Sequence, residues 1–135
     1  MQVVAIFALL TTLVTLTMCD NPDFKANIMK CMEETKISRD ELKAFYANGS
    51  KSADAKDNIK CYMKCMMEKM GHLKNGVFDD ASAARSLKNW PQLKDHQAEV
   101  DEAIQDCKKE KGANDCETAF KITMCLKEHK AALQS

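Results

Sequence analysis

Residues 60 to 71 read Lys60-Cys61-Tyr62-Met63-Lys64-Cys65-Met66-Met67-Glu68-Lys69-Met70-Gly71. Apolar side chains recur here at helical spacing, and a glycine follows where a left-handed cap is wanted. Ser52 upstream supplies the N-cap, so this reading gives one long helix from Ser52 to Gly71. Cys61 and Cys65 lie four apart, about 40° from each other on one face. Side by side, they suit two bridges to two different partners better than a bridge between themselves. Met63, Met66, Met67 and Met70 share the helix. Methionine is flexible and polarisable and adapts to differently shaped neighbours. A methionine stripe at this spacing is nonetheless more often packed core than binding surface.

Outward from this stretch the chain reads as further helices. Asn21-Pro22 opens one that runs to about Glu34, proline being tolerated in a first turn. Ser38 with Glu41 forms a capping-box pattern for a second, which ends near Asn48-Gly49. Residues 71 to 78 hold two glycines and are expected to form a loop. Asp79 or Asp80 starts a short fourth helix through Leu87, and Trp90-Pro91 lies in the next connection. A fifth helix is expected from about Gln92 to Lys111, stopping at Gly112. Asn114 or Asp115 caps a sixth, with Glu117 in its first turn, running to about Lys130. No stretch alternates apolar and polar residues with β-branched enrichment, so no strands are expected. The predicted fold class is all-α, a compact bundle of about six helices.

Composition excludes several function classes. The chain has 135 residues, with 20 Lys plus Arg against 20 Asp plus Glu. That balance provides no basic field for nucleic acid and no polycationic face for anionic lipid. Residues Met1 to Cys19 carry no charged side chain, and an apolar run from Val3 through Leu10 continues to Leu13, Val14 and Leu16. This pattern predicts a secretory signal peptide over residues 1–19, cut after Cys19, and one helical domain over 20–135. No second long apolar run follows, so stable membrane insertion is not expected.

Removal of residues 1–19 leaves Cys31, Cys61, Cys65, Cys107, Cys116 and Cys125. An even count in a secreted chain implies a disulfide framework, and six cysteines allow 15 pairings. Cys116 and Cys125 stand nine apart, on opposite sides of a helix and about 13 Å apart along it, so they cannot pair if that helix is continuous. The remaining choices stay open on spacing alone. Zinc is a poor reading, because the compartment is oxidising and no histidine stands at finger spacing from the cysteines.

The pattern C-x29-C-x3-C-x41-C-x8-C-x8-C, the segment from Lys60 to Gly71, and the following Gly76 and Asp79 resemble the insect pheromone-binding and general odorant-binding protein family. The likeness covers the mature chain and the signal peptide. It implies an interlocked pairing, Cys31–Cys65, Cys61–Cys116 and Cys107–Cys125, around an apolar cavity. It also implies a secreted carrier of odorants or pheromones, acting in sensillar lymph or another body fluid. The partners implied are a small hydrophobic ligand and, indirectly, a membrane odorant receptor. The expected state is a monomer or weak homodimer, with no cofactor and no nucleic acid.

Three disulfides would help hold a cavity open against the usual cost of voids. The residues expected to line it are Leu42, Phe45, Met63, Met66, Met67, Met70, Leu73, Phe78, Trp90, Val100, Ile104, Phe120, Thr123 and Met124. Tyr46, Tyr62, Thr123 and Trp90 are candidate hydrogen-bond partners for an alcohol, aldehyde or ester. Catalysis is not expected: the chain has no G-x-S-x-G elbow, no H-E-x-x-H helix and no phosphate-binding loop. His72 and Asp79 follow the Cys65 stretch, but without the cysteine-glycine calcium loop of a secreted phospholipase. His72, His96 and His129 are expected on the surface, a pH-linked role in ligand release being the alternative for His72 and His129. Asn48-Gly49-Ser50 is an N-glycosylation sequon, although such a stretch is more often an ordinary helix-ending Asn-Gly turn. Competing readings are a non-olfactory carrier in haemolymph, saliva or reproductive fluid, a secreted structural or interaction protein with a filled core, and a small hydrolase.

Overall fold

The computed structural model describes residues 22–134. The expected signal peptide and its cleavage site lie outside the described residues. Among the described residues six α-helices carry the fold: α1 (Pro22–Thr35), α2 (Arg39–Ala47), α3 (Asp57–Lys69), α4 (Asp80–Lys88), α5 (Gln97–Cys107) and α6 (Asp115–Gln134). Helix α3 packs on α6 and on α1, α4 packs on α5, and α5 packs on α6. Three disulfides, Cys31–Cys65, Cys61–Cys116 and Cys107–Cys125, tie α1 to α3, α3 to α6 and α5 to α6. This is the interlocked pairing that the resemblance implied, and it staples α6 on two sides.

Local chemistry sets several of the boundaries. Ser38 Oγ accepts from the Glu41 amide at 3.1 Å, and the Ser38 amide donates back to Glu41 Oε2 at 2.8 Å. This reciprocal box satisfies two amides that the start of α2 would otherwise leave unpaired. Asp79 caps α4 by accepting from the Ser82 amide at 3.0 Å. Asn114 Oδ1 accepts from the Glu117 amide at 2.9 Å at the head of α6, which runs on to Gln134, past the expected Lys130.

Three expectations need correction. The long helix from Ser52 is instead a single 3-10 turn, Ser52–Asp54, followed by extended residues Ala55 and Lys56; α3 begins at Asp57. Residues 52–58 offer no large apolar side chain, so packing gives little reward to a helix there, and Ile59 is the first large residue to be buried. The fifth helix likewise begins late. A 3-10 turn, Pro91–Leu93, buries Leu93, and the Gln97 side-chain amide donates to the carbonyls of Lys88, Leu93 and Lys94. Satisfying those carbonyls stabilises the connection, and α5 starts at Gln97. It ends at Cys107 rather than Lys111, since Lys108 to Lys111 supply no apolar residue.

The third correction concerns strands. Residues expected as a loop form a two-stranded antiparallel ribbon, β1 (Leu73–Lys74) with β2 (Val77–Phe78). Asn75 and Gly76 join them with φ of 52° and 77°, the left-handed pair that a two-residue hairpin turn requires. A Cβ at Gly76 would stand 2.8 Å from Asp115 Oδ2, so the turn also approaches the head of α6 closely.

Candidate functional site

The expected pocket residues divide among three apolar clusters. Leu42 and Phe45 from α2, Met63 and Met66 from α3, and Phe120 from α6 are buried together, with Met124 packed at the edge. Met67 and Leu73 lie in a second cluster with Ile122 and the Cys107 side of a disulfide. Val100 and Ile104 from α5 form a third with Leu93 and Ala83. Phe78 packs against both the second and the third. The half-buried Thr123 hydroxyl donates to the Ala119 carbonyl at 2.9 Å within its own helix and also lies 3.4 Å from Met67 Sδ on α3.

Two expected pocket residues stand outside this interior. Met70 is 38% exposed at the end of α3, and Trp90 is 39% exposed. The Trp90 ring faces solvent-side charge instead, with Lys130 Nζ 5.3 Å from its centroid. Helical spacing identified the methionine stripe but did not say where the helix leaves its neighbours. Of the tyrosines, Tyr62 is buried, and burial pushes its phenol up to about 12, whereas Tyr46 is largely exposed beside Phe45.

An open groove of about 640 Å³ runs along α6. Its floor includes Phe120 and Met124, which also belong to the first apolar cluster or its edge. Its rim is charged, with Lys60, Lys121, Asp106, Glu110, Glu117, Glu128 and His129. Several of these charges are paired: Lys60 Nζ lies 3.8 Å from Glu117 Oε1, and His129 Nε2 lies 3.1 Å from Asp106 Oδ2. Solvent thus approaches the first cluster at Phe120 and Met124 through a polar margin. Cys107, Cys125 and His129 also converge, but the two sulfurs form a disulfide and are not thiolate ligands for a metal.

One histidine, His72, departs from the surface placement expected of all three. His96 and His129 are half-buried, paired with Glu99 and Asp106. His72 is buried, at 6% exposure. Its Nε2 has no hydrogen-bond partner, the one such buried side-chain nitrogen or oxygen among the described residues. Burial holds its imidazole below the ordinary value, against an opposing pull from the Asp79 carboxylate. No local pattern marks this residue: a histidine after a glycine reads as loop. The sequon residue Asn48 is exposed at the end of α2, with Gly49 and Ser50 following in left-handed conformation.

Residues 17–129 match the model of the PBP/GOBP family. General odorant-binding protein 56a of Drosophila melanogaster is 28% identical over 135 residues, covering 96% of this chain and 93% of that protein. Among solved structures, the fatty acid binding protein OBP56a from the oral disk of the blowfly Phormia regina is 30% identical, with a TM-score of 0.66 over 81% of this chain and 90% of that one. The odorant binding protein lmigOBP1 of Locusta migratoria is also 30% identical, with a TM-score of 0.64 over 82% of this chain and 80% of that one. With six helices, the interlocked cysteine bridges and a family match spanning most of its length, the chain belongs to the PBP/GOBP family.

Proposed function

We propose that the chain is a secreted carrier that takes small hydrophobic molecules into its interior and moves them through aqueous extracellular fluid to membrane receptors. The observation that carries this reading is the first apolar cluster. Four helices, α1, α2, α3 and α6, meet there through Cys31, Phe45, Met63, Met66 and Phe120, with Met32 and Met124 at the margin. Disulfides hold the frame while methionines supply adaptable walls, which suits guests of varied shape. An odorant losing about 300 Å² of apolar surface gains roughly 7 kcal/mol before the costs of association, which leaves micromolar affinity. The role is binding and transport, not catalysis. The mature chain begins at Asp20 in this reading.

The blowfly relative is described as a fatty acid binding protein from an oral disk. That tissue favours a second reading, in which the carrier serves a feeding surface rather than olfaction. Fatty acids therefore belong in the ligand panel beside alcohols, aldehydes and esters. The test is titration of the oxidised protein from Asp20 with an apolar naphthylamine probe, followed by displacement with the panel. Saturable micromolar binding that is lost on reduction of the disulfides is the expected result. Absence of saturable binding by the folded, fully bridged protein would overturn the carrier reading in favour of a filled core.

A further inference from the structure

We infer that His72 Nε2 is a polar anchor for ligand, taking the uncharged oxygen of an alcohol, aldehyde or ester whose apolar chain lies along Met67 and Leu73 of the second cluster. The inference rests on the carrier reading above and names the ligand chemistry that the interior would select. Buried polar groups are normally hydrogen-bonded, and an exception calls for a partner. Other side-chain groups in and around the helices have theirs: the Thr35 and Thr123 hydroxyls donate to backbone carbonyls, and Thr118 Oγ1 accepts from the Gly112 amide. His72 Nε2 does not.

The support under this imidazole is fixed. The His72 amide donates to the Met67 carbonyl at 2.8 Å, and the His72 carbonyl accepts from the Asp79 amide at 2.8 Å. The residue is thereby held between the end of α3 and the cap of α4, at the mouth of the ribbon. Its backbone partner Met67 and its neighbour Leu73 both belong to the second apolar cluster. Displacing a methionine side chain is the least costly way to admit a guest there. A neutral imidazole nitrogen accepts from a hydroxyl in one tautomer and donates to a carbonyl in the other, so one residue serves both headgroups. A carboxylate fits less well, because burial penalises an added charge.

The test uses probe displacement at neutral pH with matched ligands of one chain length: decanol, decanal, decanoate and decane. His72→Leu is expected to weaken decanol and decanal about tenfold, the usual scale for one lost buried hydrogen bond, while leaving decane unchanged. His72→Gln restores part of the loss. In the wild-type protein, the ¹⁵N resonance of Nε2 is expected to move on addition of decanol and not of decane, a readout that needs no variant to fold. Equal weakening of decanol and decane, or an Nε2 resonance indifferent to decanol, overturns the anchor while leaving carriage intact. That result would assign the imidazole a structural role or a bound water. A wild-type protein that binds none of the panel overturns carriage itself, and the anchor with it.

Discussion

At the scale of the residue, His72 has a consequence for stability that is separate from any ligand. Its imidazole is held below the ordinary value of 6.5, chiefly by burial. The unfolded chain therefore binds this proton more readily than the folded one. Stability is fully present above about 6.5 and falls as pH drops from there towards the lowered folded value. The carboxylates Glu41, Asp79, Glu99 and Glu117 are held below their ordinary values, so their contributions are lost only in more acidic solution. Between about pH 7.5 and about pH 5.5, the melting temperature of the wild-type protein should fall more steeply than that of His72→Gln, as thermal unfolding would read it. Parallel slopes for the two proteins would show that the ring is protonated at no cost. The exposed Met70 and Trp90 carry the opposite lesson. Trp90→Ala should shift melting less than Phe120→Ala, for which a loss of about 3–5 kcal/mol is the usual scale of a buried aromatic truncation.

At the scale of the element, side-chain caps fix the starts of α2, α4 and α6, whereas α3 and α5 start without one, where apolar burial begins. Helix α2 is nine residues long, too short to be stable alone, and its capping box is complete. Ser38→Ala should cost about 1 kcal/mol, seen as a lower denaturation midpoint with an unchanged slope. Loss of more than that would mean that Ser38 also fixes how α2 sits on α3, since Glu41 reaches from the same box to the Asn58 side chain at 3.3 Å. The ribbon between α3 and α4 is an element of another kind. Asn75-Gly76 is among the strongest short hairpin signals, and here it overrides the general lack of strand pattern. Two residues per strand are too few to show alternation, which is why the segment reads as loop.

At the scale of the whole molecule, the disulfides form a chain of staples through α1, α3, α6 and α5. Removing Cys107–Cys125 by double serine substitution should cost roughly 3 kcal/mol, measured by denaturant unfolding of the oxidised protein. It should also weaken probe binding, because α5 and α6 bring the second and third clusters together. Stability lost without any change in binding would place the ligand wholly within the first cluster. No described helix is long and apolar enough to cross a membrane. The balanced charge is distributed in local pairs, such as Lys64–Glu68 and Lys88–Asp101, which are solvated faces and not a field for a polyanion.

The sequence by itself determined the all-α class, the cap at Ser38, the choice of Asp79 or Asp80 and of Asn114 or Asp115 for two more caps, and the cysteine framework, because caps act over three or four residues and cysteine spacing is a covalent constraint. Its resemblance to known carriers supplied the pairing. Only the tertiary structure decided which faces of those helices meet. It began α3 at Asp57 and α5 at Gln97, where burial starts to reward a helix, and it left Met70 and Trp90 outside while closing Phe45, Met63 and Phe120 together. It also buried the His72 side chain and left Nε2 without a hydrogen-bond partner, which no local sequence pattern encodes.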